Sequence, residues 1–360
     1  MVHRTLFRPL LFAMPPEAIH EVAIRSLEFI SNHPRWVHAL AKLVDCPNYP
    51  VRAMGLEFPT PIGLAAGFDK NGVAIPAWFA MGFGFVEVGT ITPRAQAGNP
   101  KPRLFRLPKD KALLNRMGFN NDGAPALAQR LARLGCKNGI VGVNIGKQRE
   151  TPIQEAAEDY ATCASILAPF ADYLVINVSS PNTPGLRSLQ SLHHLESITD
   201  AVRDAITRSG TRHLPLLIKI SPDLLDHEIK AIAGFIQSKK LAGVVATNTT
   251  TSRAHLCTPH QTLAEMGEGG ISGAPLRKRS LEILELLRQT LDASFVVISV
   301  GGISTLEDLR LRFSLGATLV QIYTAFVYEG PLLPRRLLSE FIALQSKQRL
   351  GLHHVPIPGL

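Results

Sequence analysis

Cysteine is scarce: Cys46, Cys136, Cys163 and Cys257 are the four in 360 residues, and none forms a CxxC pair. Such scatter indicates neither a zinc site nor a disulfide framework and fits ordinary buried thiols in a reducing compartment. Long apolar runs are missing too. No stretch reaches the roughly 18 residues of a membrane span. The apolar start at Leu6 to Met14 is broken by Arg8 and Pro9, which argues against a cleaved signal peptide. No Lys/Arg run or aromatic-interleaved basic block supports nucleic acid. The formal charge of +9 therefore speaks for an anionic membrane surface or acidic small ligands. His20-Glu21 and His227-Glu228 do not continue into HExxH, so no metal is expected, and no GxSxG nucleophile elbow occurs. The dinucleotide fingerprint GxGxxG is absent as well, because Gly82-x-Gly84 meets Glu87 where its third glycine belongs.

What is present is core-forming material, 46% hydrophobic and 19% charged, enough for one large domain or two smaller ones and incompatible with disorder. Pro16 and Glu17 suit a helix start, and Ile19, Val22, Ala23, Leu27 and Ile30 keep one apolar face. Pro34 opens a second helix with a stripe of Trp36, Val37, Leu40, Leu43 and Val44, fringed by Arg35, His38 and Lys42. Residues 1–45 thus read as an amphipathic extension that either lies at a membrane interface or packs on the body of the protein.

From Ile62 onward, short apolar runs alternate with longer helical stretches, the rhythm of βαβ units. Eight runs stand out: Ile62 to Ala66, Phe85 to Val88, Ile140 to Val143, Leu174 to Val178, Leu216 to Ile220, Gly243 to Ala246, Phe295 to Val300 and Thr318 to Ile322. Eight units predict an α/β fold of the (β/α)8 TIM-barrel class over 46–360, with an open doubly wound sheet as the runner-up. Helix starts are expected at Thr151-Pro152 and Ser221-Pro222, where a hydroxyl precedes a proline. Arg103 to Leu107 and Lys111 to Leu114, flanking Pro108-Lys109-Asp110, predict a hairpin over the barrel mouth.

In such barrels the active site is built from the C-terminal ends of the strands. Here those ends are strongly polar: Asp69 and Lys70, Thr90, Asn144, then Asn177, Ser180 and Asn182 in the most telling stretch, Leu174 to Arg187. Lys219 follows on the fifth run and Thr247, Asn248 and Thr249 on the sixth. Asn, Ser, Pro and Gly cluster in turns for conformational reasons alone. Two lysines and several asparagines converging on one mouth, however, are costly without a ligand to pair with. Val300-Gly-Gly-Ile-Ser-Thr305 puts bare backbone before a helix, the usual barrel phosphate position, and Gly269-Gly-Ile-Ser-Gly273 adds another glycine-rich loop. Phosphate at one end and amides and lysines around the middle suit a mononucleotide cofactor beside a small, planar, anionic substrate.

These motifs, taken in order, resemble dihydroorotate dehydrogenase: Ala66-Gly-Phe-Asp-Lys70, Asn115-Arg-Met-Gly-Phe119, Asn144-Ile-Gly146, Asn177 to Gly185, Lys219, Thr247-Asn-Thr249, Gly269 to Gly273, Val300-Gly-Gly302 and Tyr323-Thr324. Phe68 and Thr324 are conservative departures from the pattern. The resemblance implies an FMN barrel oxidising dihydroorotate to orotate in pyrimidine synthesis. Ser180, where soluble relatives carry cysteine, and the helical extension resemble the quinone-linked class held peripherally at the cytoplasmic side of the cell membrane, the extension serving as quinone entrance. The resemblance makes Ser180 the base that takes the C5 proton. It assigns Lys70, Asn177, Asn182, Asn248, Thr249 and the segment Asn115, Arg116, Met117, Gly118 and Phe119 to the substrate. The flavin falls to Ala66, Gly67, Phe68, Asp69, Lys70, Thr90, Asn144, Asn177, Lys219 and Thr247, and its phosphate to Gly273, Gly302, Tyr323 and Thr324. Two alternatives stand beside this reading: a soluble FMN dehydrogenase with another acceptor, and a phosphate-ligand-binding barrel without catalysis.

Overall fold

Each of the eight apolar runs becomes a strand of one closed parallel barrel: β1 Ile62–Leu64, β2 Phe85–Ile91, β3 Ile140–Ile145, β4 Tyr173–Asn177, β5 Leu216–Ile220, β6 Gly243–Ala246, β7 Val296–Val300 and β8 Leu319–Ile322. Neighbours follow chain order and β8 closes on β1, as the (β/α)8 expectation requires. This computed structural model describes residues 8–135, 137–211 and 213–349, with no side-chain description at 348 and 349. Leu6 and Phe7, Cys136 and the outer ends of the two predicted segments, 1–7 and 350–360, lie outside the described residues.

Alternation along the strands divides the core. Val86, Val88, Leu174, Ile176, Ile218 and Val244 pack outward against the helices, whereas Phe85, Tyr173, Val175, Leu217, Val245 and Ile298 fill the barrel. A hairpin unforeseen in the sequence, Val51–Ala53 paired with Leu56–Phe58, plugs the lower end, with the Phe58 ring edge-on to Phe85 at 5.3 Å. Its turn residues Met54 and Gly55 both have positive φ, 47° and 76°, the two-residue turn that matches strand twist.

Over the mouth, the expected hairpin forms from Leu104–Leu107 and Ala112–Asn115. The Gly269 to Gly273 stretch, expected as a loop, is instead a third strand, Gly270–Gly273, antiparallel to Ala112–Asn115. Glycine carries little strand preference, so this pairing was set by the exposed edge that meets it. Both predicted helix starts are displaced. After Thr151-Pro152 a 3-10 turn, Ile153–Glu155, precedes the helix Ala156–Leu167. Ser221 instead accepts from the Asp223 N–H at 3.1 Å, and the helix begins at Asp226, with the Glu228 carboxylate accepting from the Leu225 N–H.

The extension contains α1 Arg8–Phe12, α2 Pro16–Ser31 and α3 Pro34–Val44. Leu27 and Val44 are buried, and Ile24, Ile30 and Leu40 pack on the barrel helices. Polar contacts fix the docking. Glu17 pairs with Arg103 at 3.0 Å in a mostly buried contact, and Arg106 donates to the Met14 carbonyl at 2.8 Å while lying over the Phe12 ring. The other side of these helices leaves Leu10, Met14, Val22, Phe29, Trp36 and Leu43 exposed.

Candidate active site

The strand ends converge on one cavity. Ala66, Gly67 and Lys70 enter from β1, Thr90 from β2, Asn177, Ser180 and Asn182 from β4, Lys219 from β5, Thr247, Asn248 and Thr249 from β6, and Tyr323 from β8. The lid adds Asn115, Met117, Gly118 and Phe119. A second cavity, lined by Gly273, Gly301, Gly302 and Thr324, joins the first through shared Val300 and Tyr323. Of the residues singled out in the sequence, Phe68, Asp69, Arg116 and Asn144 stand outside the lining. Phe68 packs on Trp78, Tyr323, Phe326 and His20. The Asp69 carboxylate accepts from the N–H groups of Val73 and Ala74, at 3.0 and 2.8 Å, and from the Trp78 indole at 3.1 Å, so it braces the turn into the next helix. Burial pushes its pKa up, against those three bonds. Arg116 turns away to the carbonyls of Met266 and Glu268 and lies over the Phe105 ring.

Behind the lining runs one continuous hydrogen-bonded chain. Asn248 Nδ2 donates to Asn177 Oδ1 at 3.4 Å and to Ser179 Oγ at 3.0 Å. Asn177 Nδ2 donates to the Thr90 hydroxyl at 2.8 Å, which donates to Asn144 Oδ1 at 2.6 Å. Asn144 Nδ2 then donates to Glu87 at 2.8 Å. Asn182 Nδ2 joins the lid by donating to Asn115 Oδ1 at 3.0 Å. Amides held in this way present fixed edges to a ligand, which saves reorganisation on binding. Ser180 is buried, and its oxygen accepts from the Asn182 N–H at 3.2 Å.

Lys219 lies 3.4 Å from Glu87. Sequence reading had met Glu87 only as a missing glycine; the signal available was a charge in the middle of the apolar run Phe85 to Val88. Three arginines were also missed. Arg187 ties the loops after β4 and β6 together, donating to the carbonyls of Ser179 and Thr249 at 3.3 and 3.1 Å and pairing with Asp223 at 2.8 Å. Burial alone would raise the Asp223 pKa, but bonds from Thr250 and Thr251 and the charge of Arg187 hold it below the usual carboxylate range. Arg312 lies fully buried beneath the glycine loop and donates to Ser299 and Ser280 at 2.6 and 2.8 Å and to the Gly301 carbonyl. Arg103, the third, faces the extension. Burial first, and Arg103 next, pull the Lys70 pKa down to about 8. His20, on the extension beside Lys70, is pushed down to about 4, chiefly by burial.

The glycine loop is bare by necessity. Gly302 has a φ of +73°, and a Cβ there would stand 2.6 Å from Cβ of Arg277. At Gly273, φ is +101° and a Cβ would meet the Lys111 carbonyl oxygen at 2.4 Å. Among the described residues no group of three or more His, Cys, Asp or Glu is placed to hold a metal ion.

The family model described as dihydroorotate dehydrogenase matches residues 49–344, the barrel with its lower plug and lid. This chain belongs to that family. Among its relatives, the dihydroorotate dehydrogenase (quinone) of Kineococcus radiotolerans is 49% identical over 352 residues, covering 96% of each chain. The protein of the same name from a Nocardioides species is 48% identical over 351 residues, 94% of this chain and 96% of that one. Among solved structures, that of the Eimeria tenella enzyme in complex with ferulenol superposes with a TM-score of 0.80 at 36% identity, covering 95% of this chain and 96% of that one. The family match begins beyond α3, yet the Kineococcus relative leaves out only 4% of 360 residues, about 14, fewer than Pro16 to Val44 contains. Helices α2 and α3 are therefore at least partly shared with that quinone-named relative.

Proposed function

We infer that this chain oxidises dihydroorotate to orotate, with a bound flavin between substrate and quinone, in pyrimidine biosynthesis. The carrying observation is the amide and lysine cavity, opening into a glycine-lined second cavity, in a chain nearly half identical to quinone-linked dihydroorotate dehydrogenases. A ring of neutral amides fits a dione edge, and a cavity lined by the bare backbone of Gly273, Gly301 and Gly302 fits a phosphate held by backbone N–H groups, so the flavin we propose is FMN. Lys219 and Thr90 would face its ring together with Thr247, and Gly273, Gly302, Tyr323 and Thr324 its phosphate. Asn144 would act from behind Thr90. When bound, the flavin accepts the hydride that leaves C6.

The remaining chemistry belongs to the chain. Lys70 supplies positive charge for the substrate carboxylate. Asn115, Asn177, Asn182, Asn248 and Thr249 orient the ring, with Met117, Gly118 and Phe119 closing over it. Arg116 serves by anchoring that lid to the 266–268 loop. Ser180 would take the C5 proton as its own hydroxyl proton passes on to solvent, leaving the C5=C6 double bond of orotate. The extension, residues 1–45 against a barrel of 46–360, would meet the cytoplasmic face of the membrane through its exposed apolar side. Arg25, Arg35 and Lys42 supply charge for anionic lipid. No described helix is long and apolar enough to cross a bilayer.

The test is spectroscopic. Purified protein should be yellow, be bleached anaerobically by dihydroorotate, and recover its colour with quinone but not with fumarate or NAD. A colourless protein, or one reoxidised by fumarate or NAD alone, would overturn this reading.

A further inference from the structure

Deep in the barrel lies a charge for which the proposed reaction has no role. Glu87 is fully buried on β2, inside the barrel above Phe85. Its Oε1 accepts from Asn144 Nδ2 at 2.8 Å and lies 3.4 Å from Lys219 Nζ, and its Oε2 accepts from Gln321 Nε2 at 2.6 Å. One carboxylate thus gathers side chains from β3, β5 and β8, two of which stand at or directly behind the ring cavity. Stability gives little reason for it. A buried ion pair replaced by apolar side chains of similar volume is often neutral or stabilising. The lysine alone would hold charge toward the cavity, and the carboxylate beneath opposes part of its field.

Resting on the flavin reading, we propose that Glu87 is a positioning residue: it holds Lys219 and Asn144 toward the ring and, through its negative charge, sets how readily the flavin accepts electrons. In an interior of low effective dielectric, a full charge next to Lys219 is felt strongly by a ring that gains negative charge on reduction.

Glu87→Gln isolates the charge. The amide has the same shape, and its oxygen still accepts from Asn144 and Lys219. Its nitrogen finds an acceptor if the Gln321 amide turns over and presents its Oε1. The midpoint potential of the bound flavin is measured in the holoenzyme. With the opposing charge gone, the reduced form should be favoured about tenfold, a rise of about 30 mV for a two-electron couple. Glu87→Asp keeps the charge and should move the potential by less than a third of that, although retracting the carboxylate loosens flavin retention. A merely structural role would lower thermal stability and flavin retention in both variants without the potential following the charge. An unchanged or lowered potential in flavin-loaded Glu87→Gln overturns this inference alone. Wild-type protein without flavin would overturn it together with the functional reading.

Discussion

The barrel mouth and the N-terminal extension handle polar and apolar groups in opposite ways. At the mouth, Thr90, Asn144 and Asn177 are at most 4% exposed and still linked to one another by hydrogen bonds. The extension hides one strong ion pair, Glu17 with Arg103, and leaves Trp36 and Leu43 58% and 78% exposed. Directional bonds fix a small polar ligand in a single pose, as a proton and a hydride leaving adjacent carbons demand. An apolar face attracts without orienting, which suits a lipid surface and a long, greasy electron acceptor. One chain thus keeps a hydrogen-bonded polar mouth and a separate, exposed apolar face.

That contrast breaks most severely at the mouth. Ser180→Ala removes no core volume and should leave folding intact, while flavin reduction by dihydroorotate falls by about 10² to 10⁴, the range for a lost general base. Rapid single-turnover reduction of the variant at the wild-type rate would take Ser180 out of the chemistry.

Next comes the joint between the two regions. Arg103→Ala leaves the buried Glu17 with Lys101, 3.5 Å away and 58% exposed, as its remaining ion-pair partner among the described residues. Uncoupling a buried pair in this way costs on the order of 3 kcal/mol. Thermal unfolding should begin in the extension, seen as earlier protease cleavage within Pro16 to Val44; identical melting and cleavage profiles would show that the pair carries no weight in docking.

A smaller effect is expected from pH. With the Lys70 pKa drawn down to about 8, its charge is fully present below that pH and is lost above it. On the role proposed for Lys70, kcat/KM for dihydroorotate should fall roughly tenfold per unit above about pH 8, as the profile of the free enzyme reports. Lys70→Met should be slow throughout and lack this limb. A limb that persists in the variant belongs to another group.

The mildest change is on the exposed face. Trp36→Ser with Leu43→Ser should weaken binding to anionic vesicles severalfold, because two partly inserted apolar side chains are lost from the lipid contact. Dihydroorotate-driven flavin reduction should stay at the wild-type rate, and vesicle binding equal to wild type would remove this face from the membrane contact.

Much of this was legible in the residues themselves. A strand covered on both faces is mostly apolar, so all eight barrel strands stood out as near-continuous apolar runs, and their abrupt polar ends marked the mouth. Helix starts at Pro16 and Pro34 were equally local, because proline's fixed φ needs no distant partner. Where local signals were ambiguous, as at Ser221-Pro222, the side chain found a nearer backbone partner and the helix began later.

Tertiary structure alone decided which long-range partners meet. Glu87 and Lys219 are 132 positions apart, and Glu87 and Gln321 are 234 apart. Nothing in either neighbourhood names the other, and only closure of the barrel brings β2, β5 and β8 within reach of one carboxylate. The same holds for Arg187, Arg312 and the Glu17–Arg103 pair, and for the strand Gly270–Gly273, which owes its form to the edge of Ala112–Asn115. Periodicity and composition are short-range consequences of burial, so sequence determines the scaffold and the sort of chemistry at its rim. Which buried charge faces which depends on how the closed sheet staggers its strands, a property of the whole barrel that no single segment carries.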